Sequence, residues 1–216
     1  MHLKICCIAS IEEAHLAVAS GASAVGLVSA MPSGPGVIDE ATIAGVAAAV
    51  APPTESYLLT SERDPARIAG QHRRCRTTTL QLVDALPSLD DYRRLRDLVP
   101  DAVIVQVIHV LDGQSVAEAV TVAPLVDRLL LDSGNPRLAV KELGGTGRTH
   151  DWQLSTRIRE GVDRPLLLAG GLHEDNVEEA IGLVRPFGID VCSGVRRDGR
   201  LDIERLRRFA RRVLAS

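Results

Sequence analysis

The chain has 216 residues, 45% of them apolar and 25% charged, with a formal net charge of −3. That length is ample for one hydrophobic core and small for two. The mild acidity excludes the basic footprint of a nucleic-acid-binding protein. Aromatic residues are only 2%, so the core must be aliphatic and alanine-rich. Met1-His2-Leu3-Lys4-Ile5 runs straight into a strand-like segment and shows none of the features of a secretion signal. No apolar run approaches the ~20 residues that a bilayer span requires. Cys6, Cys7, Cys75 and Cys192 follow neither a metal-binding spacing nor a disulfide framework; a reducing cytoplasm is the expected location.

Short apolar runs and amphipathic stretches alternate along the chain. Leu3–Ala9 reads as a strand and Glu12–Ser20 as the helix after it. The pairs Ala24–Ser29 with Asp39–Val50, Ser56–Leu59 with Pro65–Arg74, and Thr77–Val83 with Ser88–Leu98 follow. The second half continues with Ala102–Ile108 and Ser115–Val122, Arg128–Asp132 and Gln153–Glu160, Pro165–Ala169 and Asp175–Val184, and Gly188–Ser193 and Asp202–Leu214. The strands are apolar throughout rather than alternating, as in a parallel sheet buried on both faces. Eight such units predict a single (β/α)8 TIM barrel domain over residues 1–216. An open doubly wound sheet would carry its glycine fingerprint after the first strand, where Cys7-Ile8-Ala9-Ser10-Ile11 has no glycine. In the last helix Leu206, Phe209, Val213 and Leu214 are expected inward, with the arginines wet. Met31–Gly36 and Ser133–Asp151 are expected to be long loops at the mouth of the barrel.

Glycine is concentrated in three late segments: Gly144-Gly145-Thr146-Gly147, Ala169-Gly170-Gly171-Leu172 and Ser193-Gly194-Val195. The last two follow strands seven and eight, where a barrel commonly binds phosphate through close backbone N–H groups. At the C-terminal strand ends, the first strand offers Cys6 and the sixth ends in Asp132. A thiol with a pKa near 8.5 needs modest tuning to act as a base, and a carboxyl needs its pKa raised to act as an acid. A strand cysteine is most often a small core residue. An acid ending an apolar run must be paired, solvated or functional.

These residues together resemble the phosphoribosylanthranilate isomerase family. The resemblance runs through Lys4-Ile5-Cys6, Gly21–Gly26, Leu131-Asp132-Ser133, Gly144–Gly147 with Asp151-Trp152, Leu168–Leu172 with Asn176-Val177, and Asp190–Val195. It covers essentially the whole chain in order, and the set is specific although each piece alone is weak. It implies a cofactor-independent Amadori rearrangement, part of tryptophan biosynthesis, acting on a small phosphoribosyl amine. It implies no metal, nucleic-acid or membrane partner, and a monomer or homodimer. Asp132 would protonate the ribose ring oxygen and Cys6 would remove the C2′ proton. Gly145, Gly170, Gly171, Ser193 and Gly194 would hold the 5′-phosphate, with Lys4 and Gln81 as further substrate contacts. The Gly144–Gly147 segment would cover the site.

The departures from the family pattern cluster. The first-strand motif continues Cys-Gly in the family and Cys6-Cys7 here. Strand alternation sends these two side chains to opposite faces, so Cys6 alone inherits the base role and Cys7 packs. The family's arginine after strand two, which pairs with the anthranilate carboxylate, is Pro35 here. Strand three, a Gly-Val-Phe motif in the family, reads Tyr57-Leu58-Leu59, and Val83 stands where the family has histidine. Gln106 replaces a strand-five lysine, and His109 is expected to be a solvated loop residue. Arg63, Arg148 and Arg196 are candidates to restore the lost charge. Three functions are compatible with this pattern: the anthranilate isomerase itself, a paralogue performing the same reaction on another phosphoribosyl amine, or a catalytically weak phosphosugar-binding protein. Retention of both Cys6 and Asp132 argues against the third.

Overall fold

The computed structural model describes residues 1–144 and 147–216. Eight strands form a closed parallel barrel in sequence order: β1 (His2–Ile5), β2 (Ala24–Val28), β3 (Glu55–Thr60), β4 (Thr79–Leu82), β5 (Val103–His109), β6 (Arg128–Asp132), β7 (Leu166–Leu168) and β8 (Gly188–Val191). Closure is made by β1 against β8, with His2 opposite Gly188 and Ile5 opposite Val191. The helices are α1 (Ile11–Ala19), α2 (Glu40–Ala49), α3 (Pro65–Cys75), α4 (Leu89–Leu98), α5 (Gln114–Val122), α6 (Trp152–Gly161), α7 (Val177–Val184) and α8 (Ile203–Ala215). The open-sheet alternative is therefore excluded. A short antiparallel ribbon, Arg196–Arg197 with Arg200–Leu201, precedes α8 and has no counterpart in the sequence reading.

Helix starts are set locally. Ser10, Asp39, Asp64, Ser88, Asp151 and Asp202 each accept a hydrogen bond from a backbone N–H in the first turn of the following helix, which satisfies donors the helix itself leaves unpaired. Strand alternation then sorts the core into two layers. Leu3, Ile5, Val25, Leu27 and Leu58 face the helices; Ala24, Tyr57, Leu59, Val105 and Leu167 fill the barrel. On α8, Leu206, Phe209, Ala210 and Val213 are buried, whereas Leu214 is exposed, contrary to the expectation that it points inward.

The N-terminal end of the barrel is closed by charge. Arg128 forks onto Glu55 at 2.6 and 2.9 Å and donates to the Tyr57 hydroxyl at 2.7 Å. Its guanidinium lies 5.6 Å from the Phe187 ring, which stacks on His2 at 5.3 Å. A bidentate, half-buried pair of this kind fixes geometry as well as charge. The opposite end holds the cavity.

Candidate active site

At the C-terminal strand ends lies a partly open cavity. Cys6, just beyond β1, and Asp132, the last residue of β6, both line it. Each is nearly buried. The Cys6 backbone N–H donates to Val191 O at 2.8 Å, anchoring it to β8. Asp132 Oδ1 accepts from the Ser133 N–H at 2.8 Å, which fixes the carboxyl plane.

Cys7 does not follow strand alternation. β1 ends at Ile5, earlier than the apolar run to Ala9 suggests, and Cys7 takes a left-handed backbone with φ of 61°. That conformation turns its side chain to the same cavity as Cys6, so the expected opposite orientation is corrected. It is also a conformation glycine adopts freely and other residues seldom do. The Cys7 thiol sits 2.8 Å from Cys192 Sγ, just past β8, and all four cysteines are free. The contact with Cys7 and the charge of Arg196 hold the Cys192 thiol below its ordinary pKa, against the effect of burial. Arg196 clasps this corner by donating to the carbonyls of Cys6 and Cys7 while pairing with Glu13 at 3.2 Å.

The late glycine loops line the cavity between the strand ends that carry Asp132 and Cys6. Gly147, Gly170, Gly171 and Ser193 line the cavity; Gly145 lies outside the described residues. Gly171 has φ of 61°, and a methyl group there would stand 2.4 Å from the Arg148 carbonyl carbon. Gly194 does not line the cavity but seals two loops together, since a Cβ on it would lie 2.1 Å from Leu172 O. Asn176 ties the same loop down, donating to Gly171 O at 3.1 Å and accepting from the His173 N–H at 2.8 Å. Neither turn is the first turn of a long helix: Ser193–Val195 is a single turn of 3-10 helix, and α7 begins only at Val177.

The remaining expected residues fall in different places. Gln81 lines the cavity, and its buried Oε1 has no hydrogen-bond partner among the described residues. Lys4 is fully buried and is not part of the cavity wall; its ammonium pairs with Asp190 at 2.9 Å and lies 5.2 Å from the Tyr57 ring centre. Burial opposes a charge on Lys4, but the Asp190 carboxylate and the Cys6 side chain outweigh it and raise the lysine pKa. His109, expected in solvent, is buried with Nε2 2.9 Å from Val83 O. Gln106 turns to the helix layer, where its Oε1 accepts from the Tyr92 hydroxyl at 2.7 Å. Sequence reasoning missed His150, which stands against the Gly170 turn. Its Nε2 is 2.7 Å from Ser155 Oγ, and burial lowers its pKa to about 4 despite nearby Asp132 and Asp151. Its proximity in sequence to the Asp151-Trp152 pair was the available signal. Among the described residues, no group of three or more His, Cys, Asp or Glu is placed to hold a metal, and no helix is long and apolar enough to cross a membrane.

The family model described as PRAI: N-(5'phosphoribosyl)anthranilate (PRA) isomerase matches residues 3–212. The chain belongs to the phosphoribosylanthranilate isomerase family. A relative from Methanocella arvoryzae, named N-(5'-phosphoribosyl)anthranilate isomerase, is 32% identical over 98% of this chain and 97% of its own length. One of the same name from Afipia carboxidovorans is 36% identical over 99% and 89%. The phosphoribosyl anthranilate isomerase structure from Thermotoga maritima superposes with a TM-score of 0.84 at 27% identity, covering both chains fully. A second isomerase structure of the family, in complex with reduced 1-(o-carboxyphenylamino)-1-deoxyribulose 5-phosphate, gives 0.81 at 25% identity with the same coverage. Within the family frame, the cluster of departures has a location. Pro35 and Leu59 lie on the cavity wall, and Val83 is buried in the inner barrel layer nearby. None of the three candidate replacement arginines lines the cavity. Arg63 donates to Ala85 O at 2.9 Å, Arg148 pairs with Glu142, and Arg196 pairs with Glu13.

Proposed function

We propose that this chain catalyses the Amadori rearrangement named for its relatives, converting N-(5′-phosphoribosyl)anthranilate into 1-(o-carboxyphenylamino)-1-deoxyribulose 5-phosphate. The observation that carries this reading is the convergence of Cys6 and Asp132 on one cavity, with the Gly170-Gly171 and Ser193 turns lining it between the strand ends that carry them. The glycine turns hold the 5′-phosphate, so the ribose stays in place when its ring opens. Asp132 gives a proton to the ring oxygen as the C1′–O bond breaks, and the nitrogen lone pair forms the iminium. The Cys6 thiolate then takes the C2′ proton, and its electron pair flows into the iminium to give an enolamine. Protonation at C1′ and loss of the 2′-hydroxyl proton yield the ketone, with no net change in atoms. The substrate's own iminium is the electron sink. Gln81 Oε1, which has no partner among the described residues, supports a role in accepting from a substrate hydroxyl or amine. In this reading residues 1–216 act as one barrel domain on a small molecule, in the cytoplasm, as a monomer or homodimer.

The test is turnover of phosphoribosylanthranilate by the purified protein beside Cys6→Ser and Asp132→Asn. Each variant is expected to lose about 100- to 10,000-fold in kcat, the usual worth of a positioned acid or base. Undiminished activity in Cys6→Ser removes the proposed base. Binding of ribose 5-phosphate without turnover by the unmodified protein would instead favour a paralogue acting on another phosphoribosyl amine or a phosphosugar-binding protein.

A further inference from the structure

We propose that Cys7 and Cys192 form an oxidative modification site, at which a hydroperoxide converts the two thiols into a disulfide and a thiol reductant restores them. The inference goes beyond the isomerase reading, and its readouts need no turnover. Three of the four cysteines, Cys6, Cys7 and Cys192, line one partly open cavity. Cys75 packs in the helix-facing layer and lines no part of it. Cys7 and Cys192 touch, Sγ to Sγ 2.8 Å, although 185 residues separate them in sequence. The contact exists because β1 pairs with β8, and both thiols are free.

Cys7 is held towards this partner by the loop after β2. Its left-handed backbone, with φ of 61°, is one that non-glycine residues seldom take, and such an outlier persists where its surroundings impose it. Here Sγ lies 3.6 Å from Pro35 O, and a Cβ on Gly36 would stand 2.6 Å from Cys7 Cβ. Cys6 also bears on the Cys7 thiol, but it is the wrong partner for a bond. Consecutive Cα atoms stand about 3.8 Å apart across a trans peptide, whereas a disulfide usually spans about 4.4–6.8 Å.

The two thiols are unequal, which sets the order of steps. The contact with Cys7 and then the Arg196 charge hold Cys192 below its ordinary pKa, against the effect of burial. The contacts with Cys192 and Cys6, and then burial, push Cys7 up. Cys192 is also the more exposed of the two. Its thiolate attacks a peroxide oxygen: an S–O bond forms, the O–O bond breaks, and the leaving oxygen takes a proton. Cys7 sulfur then attacks the sulfenic sulfur. The S–S bond forms, the S–O bond breaks, and the Cys7 proton leaves with the hydroxide as water. In sum the two thiols give up two electrons, and the peroxide accepts them.

The test treats the reduced full chain with hydrogen peroxide, alkylates the remaining thiols and maps the unreduced peptides by mass spectrometry. We expect two of the four thiols to be lost, a peptide pair joining Cys7 to Cys192, and recovery of all four thiols with dithiothreitol. A Cys6–Cys7 bond, a bond between two chains, or oxidation mainly at Cys6 or Cys75 overturns the proposal. So does survival of all four thiols at a peroxide dose that fully oxidises free cysteine. Cys192→Ser should slow thiol loss by about tenfold or more, the gap between an activated and an ordinary protonated thiol. An unchanged rate removes Cys192 as the attacking group. Cys7→Gly, which suits the left-handed backbone, should form no disulfide and should leave a sulfenic acid on Cys192 that dimedone captures. Capture at Cys6 alone would refute the assigned order.

Discussion

His150 is expected to make the wall around the Gly170 turn sensitive to acid. Its ring is packed between Ser155 and the Gly170 turn: a Cβ on Gly170 would lie 3.0 Å from Nδ1, and Nε2 is 2.7 Å from Ser155 Oγ. Burial is the main reason its pKa falls to about 4; the charges of Asp132 and Asp151 only partly offset it. In the unfolded chain the same imidazole titrates near 6.5. Between these values the unfolded state binds the extra proton, so stability is fully retained above about pH 6.5 and is lost as the pH falls towards 4. From pH 7 to pH 5 the loss attributable to this one group is about 2 kcal/mol. The measurement is urea unfolding of the unmodified protein and of His150→Gln at both pH values. Gln keeps a polar contact to Ser155 and cannot titrate. His2, whose pKa is also lowered to about 4 by burial, contributes equally to both proteins and cancels. The unmodified protein should lose about 2 kcal/mol more than the variant across this range. Equal losses would show that His150 is not held neutral by its surroundings.

Two further substitutions probe the wall and the first strand. Gly194→Ala forces a methyl group to within 2.1 Å of Leu172 O. It should destabilise by about 1–3 kcal/mol, read as a lowered Tm, and should raise KM by displacing the phosphate turns. Unchanged Tm and KM would mean that the two loops do not bear on each other. Cys7→Gly replaces a left-handed non-glycine residue and should leave kcat/KM essentially intact, in contrast to Cys6→Ser; a collapse of activity would place Cys7 in the chemistry.

The strands and helices were legible in the sequence because most strands are apolar on both faces and six of the eight helices start at a capping side chain such as Ser88 or Asp202. Cys6, Asp132 and the glycine turns were legible because their places at strand ends follow from chain order alone. Three features were hidden for physical reasons. Period-two alternation holds only while a strand continues, and β1 stops one residue before Cys6; the cysteine standing where the family has glycine was the clue to a positive φ. Cys192 meets Cys7 only because β1 and β8 close the barrel, a contact 185 residues apart in sequence. His109 ends β5 and turns inward to Val83 O, a direction that depends on strand register rather than on polarity.

The packing of the three late loops has a consequence for how substrate range changes in such a barrel. Gly171 presses on Arg148, Gly170 on His150, and Gly194 on Leu172, so the anchor is one block drawn from the second half of the chain. Pro35, Leu59 and Gln81 come from the first half, and none of them is part of that block. On the proposed reading, substitutions there would re-address the enzyme to another amine while the proposed phosphate-holding turns stay in place. Strand ends exchanged between relatives within the first half should therefore carry aglycone preference with them, and the anchoring block would not need to be redesigned.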